Sequence, residues 1–129
     1  MKMPKDFKYR GKTVDELHSM SMDEFIRLLP SRMRRSLKRG LSAEQRIVLE
    51  KIRKNDGKPI RTHARDLVIM PEMLGKIIHC YTGKEFKEIR INEKMLGHYT
   101  GEFAISITQV RHGRPGIGAS RSSMYIPLK

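Results

Sequence analysis

Tryptophan is absent from this chain, cysteine occurs once, and tyrosine and phenylalanine together supply only eight residues. A lone Cys80 cannot close an internal disulfide and rules out paired-cysteine zinc and redox motifs, which fits a reducing compartment. The five histidines fall at no metal-ligand spacing, so neither a metal nor another cofactor is expected. No apolar run approaches the ~20 residues that cross a bilayer, and the start has no charged-then-apolar signal sequence. The chain therefore reads as soluble and intracellular, with no membrane partner. Acid is scarce as well: 14 Asp and Glu face 27 Lys and Arg, for a net charge of +13 and a pI near 10.2. Such an imbalance calls for a polyanionic partner.

What remains is one domain's worth of chain. In 129 residues, 38% hydrophobic and 32% charged, there is material for a single modest core under an ionic surface. The charge is uneven. Residues 1–57 carry 15 basic against 8 acidic residues, residues 58–103 carry 8 against 6, and residues 104–129 carry 4 against none. A nearly balanced centre with cationic flanks is the pattern of a small globule with arms lying on nucleic acid. The expected organisation is a basic helical extension over 1–57, a central core over 58–110 and a basic Gly/Ser-rich tail over 111–129.

The front half is punctuated by helix starts. Thr13 with Glu16, Ser21 with Glu24 and Ser42 with Gln45 each place a hydroxyl three residues before a carboxyl or amide, the capping-box spacing. They predict helices over 14–18, 22–29 and 43–54, the last closed by Asn55-Asp56-Gly57, with Ile47, Val48 and Ile52 facing inward. Residues 1–12 mix lysines with Phe7 and Tyr9 and read as an extended, solvated arm. A fourth helix is expected over 32–39. Arg32, Arg34, Arg35, Lys38 and Arg39 make it a basic comb, while Met33 and Leu37 share its apolar face. No acid lies between Glu24 and Glu44 to neutralise it, which favours phosphate contact over a merely solvated surface. Its apolar stripe is too thin for a membrane surface.

The centre, residues 58–103, organises the rest. Residues 67–70, 77–81 and 86–91 read as strands, the last two joined by a turn at Thr82-Gly83. A two-residue turn would set His79 opposite Phe86, and a three-residue loop would set Cys80 there. Pro71-Glu72-Met73-Leu74-Gly75 and Asn92-Glu93-Lys94-Met95-Leu96-Gly97 form a near-repeat. Each is a start signal, one helical turn and a glycine stop, with Asn92 able to cap its turn through its side chain. Ahead of them stands Lys58. Arg61, His63 and Arg65 would project to one basic face of an extended strand. Residues 104–110 are apolar enough for a short strand or docked segment. From Arg111 onward the tail has too little apolar surface to fold alone, and Arg111, Arg114 and Arg121 point to a phosphate-rich partner.

Catalytic constellations are poor. His63 with Asp66 offers a candidate general-base dyad and His79 with Cys80 a candidate thiol dyad, but His79 and Cys80 are strand neighbours and point to opposite faces. Cys80 fits a small core residue better. The glycines of the tail, Gly113, Gly116 and Gly118, have neither P-loop nor dinucleotide spacing. The chain is not expected to be an enzyme.

KPIRTHARD, PEMLGK, the TGK turn and above all KMLGHYTGEF resemble ribosomal protein nineteen of the small subunit. The closing RHGRPGIGASRSSMYIPLK resembles the archaeal and eukaryotic branch of that family. The likeness is continuous from about Lys58 to Lys129 and looser upstream. It implies a structural constituent of the small ribosomal subunit that is cytoplasmic, ribosome-bound and active in assembly and translation. It places the chain in the subunit head on small-subunit rRNA, beside another head protein. The tail would reach toward the decoding region and transfer RNA. It also implies rRNA contact by the strand at 61–65 and the loops around it, with Lys76, Lys84 and His98 among the contacts. Glu102 and Phe103 of the Gly-Glu-Phe signature read as structural, and Gly101 as a point of close backbone approach. Thr100 stands where the family pattern has an apolar residue, which implies one weakened packing contact.

The expected fold is α+β: a small mixed sheet packed by N-terminal helices, with basic extended arms at both ends. A free-standing RNA chaperone or DNA-binding protein would use the same charge pattern, and an RNA-processing enzyme would need His63 or Cys80.

Overall fold

A computed structural model describes residues 6–54 and 57–113. Four helices form where the sequence places them: α1 (Val14–Ser19), α2 (Met22–Leu28), α3 (Ser31–Arg39) and α4 (Ala43–Lys54). Capping starts three of them. Thr13 with Glu16 and Ser21 with Glu24 each close a full capping box. At α4, Ser42 N–H donates to Gln45 Oε1 at 3.1 Å and Gln45 N–H returns to Ser42 Oγ at 3.3 Å. α3 begins behind Pro30 without a side-chain cap. Asn55 and Asp56, expected to close α4, lie outside the described residues.

The sheet is mixed and has three strands in the order β1 (Ile60–Thr62), β2 (Ile77–Tyr81), β3 (Phe86–Arg90). β1 runs parallel to β2 and β2 antiparallel to β3. With helices packed on it, this is an α+β architecture. Ile60, Ile78 and Ile89 stand side by side across the sheet and are buried, with Thr62 and Cys80 beside them. They meet Leu17, Phe25 and Met33 from the first three helices, Leu29 from the junction of α2 and α3, and Val48, Leu49 and Ile52 from α4 in one core.

Five expectations are corrected. The hairpin sets Tyr81, neither His79 nor Cys80, opposite Phe86. Thr82 lengthens the loop to residues 82–85 by clasping Glu85: its N–H and Oγ1 both donate to the Glu85 carbonyl, at 2.9 and 3.0 Å. Residues 67–70 are not a strand. All four are buried, and pairing stops at one isolated bridge, Val68 to Tyr99, because the opposing chain coils into a 3-10 turn at Thr100–Glu102. Ile47 is half exposed while Leu49 is buried, since the inward stripe of α4 runs through 48, 49 and 52. Residues 105–110 form no strand, and Ile105, Ile107 and Val110 are exposed. Tyr9 is not part of a solvated arm. It exchanges two backbone hydrogen bonds with Lys12 across a tight turn, and its ring stands 6.2 Å from that of Phe25.

The near-repeat is a structural repeat. Pro71–Met73 and Glu93–Met95 are both 3-10 turns, followed by Leu74 (φ −56°, ψ 136°) and Leu96 (φ −56°, ψ 135°), and then by Gly75 and Gly97, both at φ 73°. Asn92 supplies no side-chain cap; its carbonyl accepts from Met95 N–H instead. The copies differ in surroundings. A Cβ on Gly75 would meet open space, whereas one on Gly97 would run into the Tyr9 ring and lie 3.3 Å from Leu29 Cδ2.

Gly75 therefore serves as an internal control for Gly97. Gly75→Ala should cost about 1–2 kcal/mol, the strain of a left-handed side chain. Gly97→Ala should cost about 1–3 kcal/mol more, from overpacking against Tyr9. Urea unfolding of both variants measures the difference, and equal losses would show that Tyr9 yields freely. Burial raises the Cys80 thiol pKa, only partly offset by the Arg65 charge. Cys80 should accordingly stay unreactive toward a disulfide reagent at mildly alkaline pH until denaturant is added. Rapid labelling of the folded chain would contradict its place in the core.

Candidate nucleic-acid interface

Two surfaces carry the predicted binding residues. The first is α3. Leu29 and Met33 anchor it in the core and Leu37 is half-buried. The 3.6-residue period then sends Arg32, Arg35, Lys38 and Arg39 outward, with Arg34 half-buried at the margin. Among the described residues, the ion pairs are Arg53 with Glu72, Arg90 with Glu88 and His98 with Glu102. None involves an α3 cation. An open cleft runs beside the helix, where Arg32, Ser36 and Leu37 face Asp66 and Tyr99.

The second surface is the open side of the sheet. Strand alternation that buries Ile60, Ile78 and Ile89 turns Arg61, His79 and Glu88 outward in the neighbouring row. One row further, Tyr81 pairs across the hairpin with Phe86, their rings 5.1 Å apart. His63, just past the end of β1, sits 4.7 Å from the Tyr81 ring and 5.3 Å from that of Phe86. The Arg61 guanidinium lies 5.5 Å from the Phe86 ring centroid. Cys80 faces the opposite side from His79, so the two share no site.

Arg65 departs from the expectation that 61, 63 and 65 share a face. β1 ends at Thr62, and the chain turns Arg65 inward. Its guanidinium donates to the carbonyls of Tyr81 at 2.7 Å, Gly101 at 3.1 Å and Ala104 at 2.6 Å. A planar fork suits this, because several donors reach fixed acceptors at once. The peptide before it is held equally tightly. Ala64 N–H donates to Thr62 Oγ1 and Thr100 Oγ1 donates to Ala64 O, both at 2.9 Å. Thr100 is thus buried with its hydroxyl satisfied, and a hydrogen bond replaces the weakened contact expected of it. Gly101 has its place because a Cβ there would lie 2.9 Å from the Arg65 carbonyl oxygen. Glu102 accepts from Tyr99 N–H and pairs with His98 at 2.7 Å, the structural role expected of it.

The other predicted residues are scattered. Lys58 and Lys76 line a groove with Lys51 and Lys54, between the end of α4 and the first turn of the repeat. Lys84 is exposed on the hairpin loop, His98 follows the second turn, and Arg111 is exposed. Arg114 and Arg121 lie outside the described residues. Sequence reasoning missed Tyr81 and Phe86 as surface residues because both sit in runs that read as core strands. Their signal was the alternation: with 78 and 80 inward, 81 must point outward, and its hairpin partner with it.

Residues 35–112 match the family described as Ribosomal protein S19. The chain is similar to Small ribosomal subunit protein uS19 of Saccharolobus solfataricus, 54% identical over 97% of this chain and 93% of that protein. It is 50% identical to the protein of the same name from Metallosphaera sedula, over the same shares of both chains.

Outward and inward cations should separate experimentally. Replacing Arg35, Lys38 and Arg39 by Gln should flatten the dependence of log affinity for small-subunit rRNA on log salt by about two units, with no loss of thermal midpoint. Arg65→Gln should instead destabilise the fold by more than about 2 kcal/mol, the worth of charge-assisted bonds to carbonyls, and leave the slope alone. An unchanged slope in the triple variant would reduce α3 to a solvated surface.

Proposed function

The chain belongs to the Ribosomal protein S19 family, and on that premise we propose that it is a structural, rRNA-binding component of the small ribosomal subunit. One observation carries the binding mode: five cations on a single nine-residue helix, with no carboxylate paired to any of them among the described residues. Left unpartnered, like charges at i, i+3 and i+4 destabilise a helix. A polyphosphate surface removes that repulsion and gains counterion release. The groove of Lys51, Lys54, Lys58 and Lys76 and the open sheet face with Arg61 offer further places for phosphate, and Lys84, His98 and Arg111 are proposed as separate contacts. The role is scaffolding in assembly and translation, without catalysis.

The proposal extends to placement, as the resemblance implies: the subunit head, beside another head protein, with the tail directed at the decoding region and transfer RNA. In support, residues 104–129 hold four cations and no acid. No helix among the described residues is long and apolar enough to cross a membrane, and the ribosome is the proposed location.

Two experiments test this reading. The full chain should remain with small subunits sedimented after a high-salt wash, and release at the salt that strips it from arbitrary RNA would favour a free-standing chaperone. A chain ending at Val110 should keep its thermal midpoint and still join the subunit, while the resulting subunits translate poorly. Normal translation at full occupancy would remove the function proposed for the tail. Failed incorporation of a folded truncation would make the tail a primary anchor instead.

A further inference from the structure

Resting on the rRNA-binding reading, we infer that the open face of the sheet is a stacking site for an unpaired RNA base, built from His63, Tyr81 and Phe86 and braced by Arg61. Three rings meet here, with centroids 4.7, 5.1 and 5.3 Å apart, and His63 is exposed while Tyr81 and Phe86 are half-buried. An aromatic cluster that served the core alone would be covered. This one stands on the side of the sheet facing away from it and leaves ring surface in water.

Three further features suit a nucleobase. The platform is fixed: Tyr81 and Phe86 are cross-strand partners, and the Tyr81 hydroxyl donates to the Gly83 carbonyl at 2.9 Å. Little rotamer freedom is then lost when a base arrives. The Arg61 guanidinium over Phe86 adds a cation whose flat face can also stack. Glu88, the acid on this face of the sheet, is paired with Arg90 at 2.9 Å. Aromatic stacking accepts any base because every base has a π-face. The ligand class is therefore single-stranded RNA, a loop or bulge whose base is free to swing out of its helix.

The test uses the full chain with two side chains of similar bulk at the exposed position, His63→Leu and His63→Phe. The probes are intact small-subunit rRNA and a short single-stranded RNA carrying one 2-aminopurine, whose fluorescence is quenched by stacking. Wild type and His63→Phe should quench the probe fully, and His63→Leu should quench it less. Affinity of His63→Leu for the probe should fall by about 5- to 150-fold, the worth of one stacked base. Its salt slope should stay that of His63→Phe, since stacking releases no counterions. Equal quenching and affinity in the Leu and Phe variants would overturn the stacking site and leave this face to a protein neighbour. Wild type that fails to bind the rRNA at all would overturn the functional reading itself, a different outcome from the first.

Discussion

The three hydrogen bonds of the Arg65 guanidinium are the constraint on which the rest of the structure depends. They tie the end of β2, at Tyr81, to the segment at Gly101 and Ala104. The Ala64 peptide is clamped between the Thr62 and Thr100 hydroxyls next door. Residues 62–65, where the chain leaves the sheet, are thereby locked from both sides. That lock sets the direction in which His63 leaves the end of β1, and it brings the Gly-Glu-Phe segment against the core. A neutral side chain in place of Arg65 would leave carbonyls unpaired at a partly dry site, where an unmade bond costs more than a made one gains.

The cations accordingly fall into three populations. Arg65 is engaged inward and serves folding. Arg53 and Arg90 are tied to Glu72 and Glu88 on the surface, where exposed pairs contribute little to stability. The α3 cations have no such partner among the described residues. The segregation is geometric. α3 is anchored by Leu29 and Met33 on one side, so its other sides must present guanidinium groups to whatever lies outside. A protein built this way folds around a balanced centre and leaves its excess charge for a polyanion, which is how the family's ribosomal setting becomes intelligible from this chain's own residues.

Much of this was legible in the sequence, for identifiable reasons. Capping boxes at Thr13, Ser21 and Ser42 mark helix starts because they are local chemistry, and α1, α2 and α4 begin where they point. The paired glycine stops at 75 and 97 were visible for the same reason. Non-local facts were not. Arg65 looked like its neighbours Arg61 and His63, and only the end of β1 at Thr62 decides that it turns inward. The hairpin register depended on Thr82 clasping Glu85, which no count of turn residues reveals. Tyr9 read as part of a lysine-rich arm because its partners, Phe25 and Gly97, are distant in sequence. The stacking row of His63, Tyr81 and Phe86 likewise joins three segments that only the sheet brings together.

The most direct test of the account is side-chain labelling of the chain free and within assembled small subunits. Hydroxyl radicals report on Tyr81 and Phe86, and an amine reagent reports on Lys38. The account predicts strong protection at all three on entering the subunit, with α3 and the open sheet face shielded together. Tyr81, Phe86 and Lys38 remaining as reactive in the subunit as in the free chain would contradict it.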